Sequence, residues 1–417
     1  MIIRFTARLA FCCATAVAAT AFGLLPAPAA QAEPTPRPAS ADASLLQRPG
    51  THVGPLNGAP DLPEDVSALS WLVADADTGD VLAAHDAHRR LPPASTIKTL
   101  FALTALPHLA DAPPHKVTEE ELAGVGEGSS LVGIAPGRTY TMDDLWRGVF
   151  LSSGNDAVRV LAEMNGGWAA TAEQMQAKAR ALGAFDTHVV SPDGYDEPGQ
   201  VSSAFDLAVF GRAGLTDPQF ASYASTVDAP FPGGTHDDGS PTWTYGIRNT
   251  NRLLTGADGV ERYPGIIGVK NGYTSNAGNT LVAAAHRDGR TLVVTVLNPQ
   301  SGGGHKVYEE ARSLLDWGFS AADRVEPVGS LEPQVVEKAP PAGPGPVTPA
   351  GPGPVTPAGP GPVTPAAAPP ARAAARSAET GTGMAYAWVG AFVGASGLAS
   401  VLILRQRRRH RPPGTGS

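Results

Sequence analysis

A chain of 417 residues could hold two or three domains, but its 48 glycines and 40 prolines are so unevenly placed that less than three quarters of it can form a core. The formal charge is −8; setting aside two arginines near the start and five near the end leaves about −15 between them, which offers no platform for nucleic acid. Both cysteines, Cys12 and Cys13, lie within the first 32 residues, so a chain processed there has neither a disulfide nor thiolate chemistry.

Residues 1–32 carry Arg4 and Arg8, an apolar run from Leu9 to Leu25, and Ala30-Gln31-Ala32, the pattern of a secretory signal. An uncleaved anchor is the alternative, although Pro26 and Pro28 break the run before it could span a bilayer. Residues 33–59 are rich in Pro, Ala, Ser and Asp without an apolar period and read as a disordered lead-in.

Residues 60–330 then form one uniform block of ordinary domain size. Ser70 to Asp75 and Val81 to Ala84 read as strands joined by a tight turn at Thr78-Gly79-Asp80. Helical spacing predicts a helix from Ser95 through Leu103, and another after Asp156, whose carboxylate suits a helix N-terminus. Leu281 to Ala285 and Thr291 to Leu297 flank Asp288-Gly289 as a second hairpin, and Glu309 to Trp317 reads as a closing amphipathic helix. Strands at both ends of the block with helices between them predict an α+β fold, mainly an antiparallel sheet built from distant parts of the chain.

Residues 331–383 read as a Pro/Gly-rich spacer, in which Pro341-Ala342-Gly343-Pro344-Gly345-Pro346-Val347-Thr348 recurs from Pro349 and, with its end altered, from Pro357. Extended at ~3.1 Å per residue, Ala339 to Gly383 could reach on the order of 100 Å. The uncharged stretch 384–404, followed by Arg405, Arg407, Arg408, Arg409 and Arg411 in the tail 405–417, reads as a transmembrane helix with its C-terminus inside. Ser377-Ala378-Glu379-Thr380-Gly381 ahead of it resembles a sortase sorting signal, which would place the protein on the wall instead of the membrane.

Three short motifs stand in order within the block: Ser95-Thr96-Ile97-Lys98, Ser153-Gly154-Asn155 and Lys270-Asn271-Gly272. On a helix, residues three apart face the same way, so the Lys98 amine comes within reach of the Ser95 hydroxyl. A serine is a weak nucleophile and needs an adjacent base. Lysine serves only when neutral, which burial and a second cation, here Lys270, would favour. Each motif alone is commonplace, as a solvated helix face, a turn or a hairpin; the ordered triple is specific. His85-Asp86-Ala87-His88 has the look of a metal pair, but no His-Glu-x-x-His accompanies it, and neither a metal nor a cofactor is expected.

From about residue 65 to 320 the block resembles the low-molecular-mass serine D-alanyl-D-alanine carboxypeptidases. The resemblance rests on the triple and on Asp77-Thr78-Gly79-Asp80-Val81-Leu82, Pro92-Pro93-Ala94-Ser95, Ser152-Ser153-Gly154-Asn155-Asp156-Ala157, Ser191-Pro192-Asp193-Gly194, Gly268-Val269-Lys270-Asn271-Gly272-Tyr273-Thr274 and Leu314-Leu315-Asp316-Trp317-Gly318-Phe319. It implies a penicillin-binding/β-lactamase-like fold, peptidoglycan stem peptides as substrate and β-lactams as covalent inhibitors. It also implies Ser95 as nucleophile, Lys98 as base, Ser153 as proton relay, Asn155 on the substrate amide and Lys270 on its carboxylate. Asn271, Gly272, Tyr273 and Thr274 complete the substrate side, with the Ser95 and Tyr273 N–H groups as oxyanion hole.

Two positions depart from the family. Asn271 stands where threonine is usual, with Thr274 as a possible substitute, and the arginine that many members carry before the closing helix is replaced by His305 and Lys306, out of register. The second, all-β domain of some relatives is not expected. A DD-endopeptidase acting on cross-links, or a catalytically silent wall-binding protein, are the alternative functions.

Overall fold

In the strand Ala68–Asp75, Leu72 and Ala74 point to one face and Trp71 and Val73 to the other, and all four are buried. Such a strand has to lie inside a sheet covered on both sides. The structure, a computed structural model, describes residues 45–333 and places it so.

In chain order these residues form β1 (Thr51–Pro55), β2 (Ala68–Asp75), β3 (Asp80–His85), a 3-10 turn (Ala94–Ile97), α1 (Lys98–Leu109), β4 (His115–Lys116), α2 (Glu119–Leu122) and β5 (Thr139–Tyr140). There follow α3 (Met142–Leu151), α4 (Asn155–Met164), α5 (Trp168–Ala181), α6 (Ala204–Leu215), α7 (Pro218–Ser225), β6 (Asp228–Thr235), β7 (Pro241–Arg248) and α8 (Arg252–Thr255). The last are β8 (Ile266–Thr274), β9 (Gly278–Arg287), β10 (Arg290–Pro299), α9 (Lys306–Ala321), β11 (Val325–Glu326) and β12 (Gly329–Ser330). The main sheet is antiparallel in the order β11-β1-β3-β2-β10-β9-β8, with β12 also on β3, so β8 is an edge strand.

One face of the sheet is covered by α1 and α3 to α7, through residues such as Phe101, Trp146 and Phe210. The other is covered by α8 and α9, through Leu253, Leu314, Leu315 and Trp317. Glu310 of α9 fastens that layer: its buried carboxylate accepts from Ser67 N and Oγ at 2.8 and 2.7 Å and from Ala68 N at 3.2 Å, just where β2 begins. Both expected hairpins are present, and in the second Asp288 and Gly289 hold φ of 50° and 80°, the left-handed pair that a two-residue turn requires.

Two expectations are corrected. The first helix does not begin at Ser95: Ala94–Ile97 is a 3-10 turn, and the α-helix starts at Lys98 and runs to Leu109. The tightening has one near and one distant cause in the chain, since Thr96 Oγ1 and Thr280 Oγ1 both donate to the Pro93 carbonyl, at 2.5 and 2.9 Å. Nor are residues 45–59 a disordered lead-in. Thr51–Pro55 pairs with β3 and β11, and Leu46 is buried where any side chain at Gly329 would collide with it. This strand is held by main-chain bonds to edges formed elsewhere, which leaves no apolar period to read. At the other end Leu331 is buried too, so the fold continues past residue 330.

The chain divides into Met1–Lys338 and Ala339–Ser417, and every described residue lies in the first unit. The expected signal, membrane helix, basic tail and nearly all of the spacer lie outside the described residues. Among the described residues no helix is long and apolar enough to cross a membrane.

Candidate active site

Ser95 sits in the 3-10 turn with its side chain partly accessible, and Lys98, one turn on, is only 1% exposed. Lys98 Nζ lies 2.7 Å from Ser95 Oγ, 2.8 Å from Asn155 Oδ1 and 2.5 Å from the Asp193 carbonyl. Three chain segments thus meet on one amine. Burial pushes its pKa down to about 8, while Asp193 and Asp156 act in the opposite sense. Lys270 is also buried, and burial together with the charge of Lys98 holds it well below the usual lysine range. Asp193 and Asp156 work against the fall at Lys98, and the repulsion between the two buried amines disfavours a proton on either.

The second motif is shaped by backbone strain. Ser153 has φ of 56°, in the left-handed region that costs a non-glycine residue about 1–2 kcal/mol. Its hydroxyl makes no hydrogen bond among the described residues. Gly154 is required by crowding, because a Cβ there would stand 2.6 Å from Asp156 Oδ1. Asn155 opens α4 with its N–H on Ser130 O at 2.8 Å and its amide nitrogen on Ser129 Oγ at 3.0 Å. Asp156 does more than suit a helix N-terminus. It accepts from the N–H groups of Val132, Gly133, Ile134 and Ala157 at 2.8–3.0 Å and so fixes the loop that carries Ser129 and Ser130.

The third motif lies on β8. A Cβ at Gly272 would fall 2.7 Å from Ser95 N and 2.6 Å from Thr280 Oγ1, so glycine is what lets the edge strand approach the nucleophile's own N–H. Lys270 Nζ donates to Asn271 O at 2.8 Å. Asn271 Oδ1 accepts from Thr250 Oγ1 at 3.0 Å, and the Tyr308 hydroxyl donates to the Thr250 carbonyl at 3.3 Å. Tyr273 extends a side chain that is 68% exposed, and Thr274 Oγ1 accepts from Ala277 N at 3.1 Å in the β8–β9 turn.

The structure thus joins Ser95, Lys98 and Asn155 by hydrogen bonds, couples Lys270 to Lys98 by charge, and sets Gly272 against Ser95. Ser153, Tyr273 and Thr274 form no side-chain bond with that group. Asp193, Ser129, Ser130, Thr250 and Tyr308 were not singled out by the motifs. Only Asp193 carried a sequence signal, the Ser-Pro-Asp-Gly turn; Gly194 beside it, at φ of 84°, brings that loop against Ala94 O. His85 and His88 are directed to different partners, Thr51 Oγ1 at 2.8 Å and Asp186 Oδ2 at 2.7 Å.

An antiparallel sheet between two helical layers, with a serine and a buried lysine one turn apart at its edge, defines a serine peptidase of the penicillin-binding fold. Residues 57–301 match the family described as D-alanyl-D-alanine carboxypeptidase, and the chain belongs to that family. It is 42% identical over 270 residues to D-alanyl-D-alanine carboxypeptidase DacB2 of Mycobacterium tuberculosis, covering 64% of this chain and 87% of that one. It is 34% identical over 269 residues to DacD of Escherichia coli, covering 61% and 64%. Among solved structures, a D-alanyl-D-alanine carboxypeptidase from Mycobacterium tuberculosis superposes with a TM-score of 0.59 at 40% identity, covering 67% of this chain and all of that one. The Streptomyces K15 DD-transpeptidase superposes with a TM-score of 0.56 at 26% identity, covering 62% and 99%.

The contact at Gly272 yields a test. A methyl group there crowds the Ser95 N–H, so Gly272→Ala is expected to slow acylation by a labelled penicillin roughly 100-fold, the loss typical of one oxyanion donor, with the far-UV spectrum unchanged. Near-normal acylation by a folded variant would separate this glycine from the chemistry.

Proposed function

We propose that the protein removes the terminal D-alanine from peptidoglycan stem peptides through an acyl-enzyme on Ser95. The observation that carries the reading is the 2.7 Å contact between Ser95 Oγ and the buried amine of Lys98. In the first stage the Ser95 proton passes to neutral Lys98 as Oγ bonds to the penultimate carbonyl carbon. The oxyanion faces the N–H groups of Ser95 and Tyr273. As the C–N bond breaks, the proton on Lys98 passes by way of Ser153 to the departing amine of D-alanine; neutral Lys98 then takes a proton from the water that attacks the ester and returns it to Ser95 Oγ. Asn155 holds the amide of the acyl portion.

The two lysines support a division of labour. A substrate carboxylate arriving beside Lys270 supplies the negative charge which that amine lacks and so favours its protonated form. A charged Lys270 in turn opposes a proton on Lys98 and favours it as base. At the carboxylate, Asn271 stands in for the family's threonine, with its amide oriented by Thr250. Export by the 1–32 signal, tethering by the 384–404 helix and reach across the wall by the 331–383 spacer complete the proposal. Protease added to intact cells should then release the catalytic domain and leave a small membrane-bound stub; release only by wall-digesting enzymes would favour the sorting-signal alternative.

Ser95→Ala should abolish both D-alanine release from a D-Ala-D-Ala stem peptide and covalent labelling by penicillin, and undiminished labelling would remove Ser95 from the role. The pH profile tests Lys98. Its pKa of about 8 predicts that acylation rises with pH and levels above that value. The Asp193 carboxylate raises that pKa, so Asp193→Asn, which keeps an acceptor for Ser191 and Tyr195, should move the rise to lower pH. A rise at unchanged pH would mean that another group titrates.

Asn271→Ala should slow turnover roughly ten- to a hundredfold, the equivalent of about 1.5–3 kcal/mol for one hydrogen bond to a charged group. Thr250→Val should give a smaller loss in the same direction. Should Asn271→Ala prove silent while Thr274→Val is crippling, the carboxylate belongs to Thr274.

A further inference from the structure

The hairpin of β6 and β7 carries the one tryptophan that stands exposed among the described residues: Trp243 is 58% exposed. Its ring has a built seat. Gly233 is the unpaired residue of a bulge between the pairs Pro232–Thr244 and Gly234–Trp243. A Cβ at Gly233 would overlap three consecutive atoms of the indole's six-membered ring almost equally, which places the glycine under the face of the ring and not at its edge. A Cβ at Gly234 would stand 3.0 Å from the indole nitrogen, so the ring lies lengthwise along two glycines with one face covered and the other open. The seat is fixed from the rest of the fold: the Arg138 guanidinium donates to the Gly233 carbonyl, and Thr235 Oγ1 accepts from Thr139 N at 2.9 Å.

This hairpin adjoins the active site. Tyr245, with its ring 6.0 Å from that of Trp243, donates its hydroxyl to Val132 O at 2.5 Å. Val132 belongs to the loop whose Ser130 carbonyl accepts from Asn155 N at 2.8 Å, and Leu131 between them is 57% exposed. Residues 241–246 carry no charge. An indole left this exposed returns little stability through burial, whereas a flat ring already held against backbone loses little freedom when a ligand covers its open face. A pyranose suits that face. Its C–H groups present a slightly positive surface to the negative face of the aromatic ring, while its hydroxyls stay at the rim in water. A charged peptide would find no partner charge on residues 241–246.

We propose that the open face of Trp243 stacks on a pyranose ring of the glycan strand that carries the stem peptide, so that sugar and scissile peptide are held together. The identity of that glycan rests on the reading of the protein as an enzyme that releases D-alanine from peptidoglycan stems. Holding the strand raises the effective concentration of its stem at Ser95 without any new contact to the reacting atoms.

Two measurements on the full chain test this. The first does not depend on the activity: saturation transfer by NMR from the protein to tri-N-acetylchitotriose should be seen with the unaltered protein and with Trp243→Phe. It should be lost in Trp243→Leu, which still covers the two glycines but offers no flat face; Trp243→Gln serves if that variant fails to fold. The second compares D-alanine release from stems on a glycan strand with release from the same stem peptide free in solution. Trp243→Leu should lower kcat/KM on the strand roughly tenfold through KM, the scale of one aromatic anchor in an interface, and leave the free peptide within about twofold. No transfer to the sugar, transfer that survives in Trp243→Leu, a Trp243→Phe variant no better than Trp243→Leu, or equal effects on the two substrates would each overturn the proposal. Release of D-alanine from neither substrate by the unaltered protein would instead overturn the reading of the activity, and the saturation transfer would still decide whether Trp243 holds a sugar.

Discussion

The 2.7 Å bond between the Lys98 amine and the Ser95 hydroxyl, with the amine out of contact with solvent, sets what the rest of the fold has to do. A buried ammonium is costly unless its donors are satisfied, and a neutral amine is useful only if its lone pair faces the nucleophile. The fold meets both demands with acceptors from separate elements: the Asn155 side chain at the start of α4 and the Asp193 carbonyl in the loop before α6. Neither element is near α1 in sequence. Both helical segments and the loop must therefore be in place before Lys98 has its low pKa, so the chemistry belongs to the folded state alone.

Bringing those elements together depends on backbone conformations that most residues avoid. Ala94, just before the nucleophile, has φ of 49°, and Ser153 has φ of 56°. Gly154, Gly194 and Gly272 stand where an added Cβ would meet atoms at 2.1–2.7 Å. Strain of this kind persists only where the surroundings over-determine it. Here the surroundings are explicit: Asp156 accepts four N–H groups beside Ser153, and Thr280 and Thr96 both donate to the Pro93 carbonyl beside Ala94.

Much of this was legible in the sequence, and the parts that were not have a common reason. Alternation and helical spacing marked β2, β3, β9, β10 and α9, because those signals come from each segment's own side chains. The ordered triple marked Ser95, Lys98, Ser153, Asn155 and Lys270. What stayed hidden depends on partners far away along the chain. Strand β1 exists because β3 and β11 offer it partners on either side, and the 3-10 turn at Ser95 exists in part because Thr280, 187 residues beyond Pro93, donates to Pro93 O. Thr250 reaches Asn271 from just past β7, Tyr308 reaches Thr250 from α9, and no spacing rule connects them. The balance at Lys98 was hidden for the same reason: no motif shows that Asp193 and Asp156 act on it against its burial.

The position of β8 at the sheet edge ties these strands of argument together. A central strand spends both rows of its backbone groups on neighbours, whereas an edge strand keeps one row free. The row that β8 shares with β9 fixes its register from Ile266 to Thr274, and through it the place of Lys270 and Gly272. The outer side is left for Ser95 and for whatever binds beside it. Gly272 permits the close approach, Thr280 of β9 anchors the turn that carries the nucleophile, and Lys270 lies on the same strand within electrostatic reach of Lys98. Ser95, Lys98 and Lys270 are thus referred to one rigid sheet. The elements that complete the site, the loops at 129–134 and 191–195, are fastened to that frame through Asn155 and through the Asp193 carbonyl. A displacement of either loop would be felt first as a change in the proton affinity of Lys98, before any loss of the catalytic serine's position.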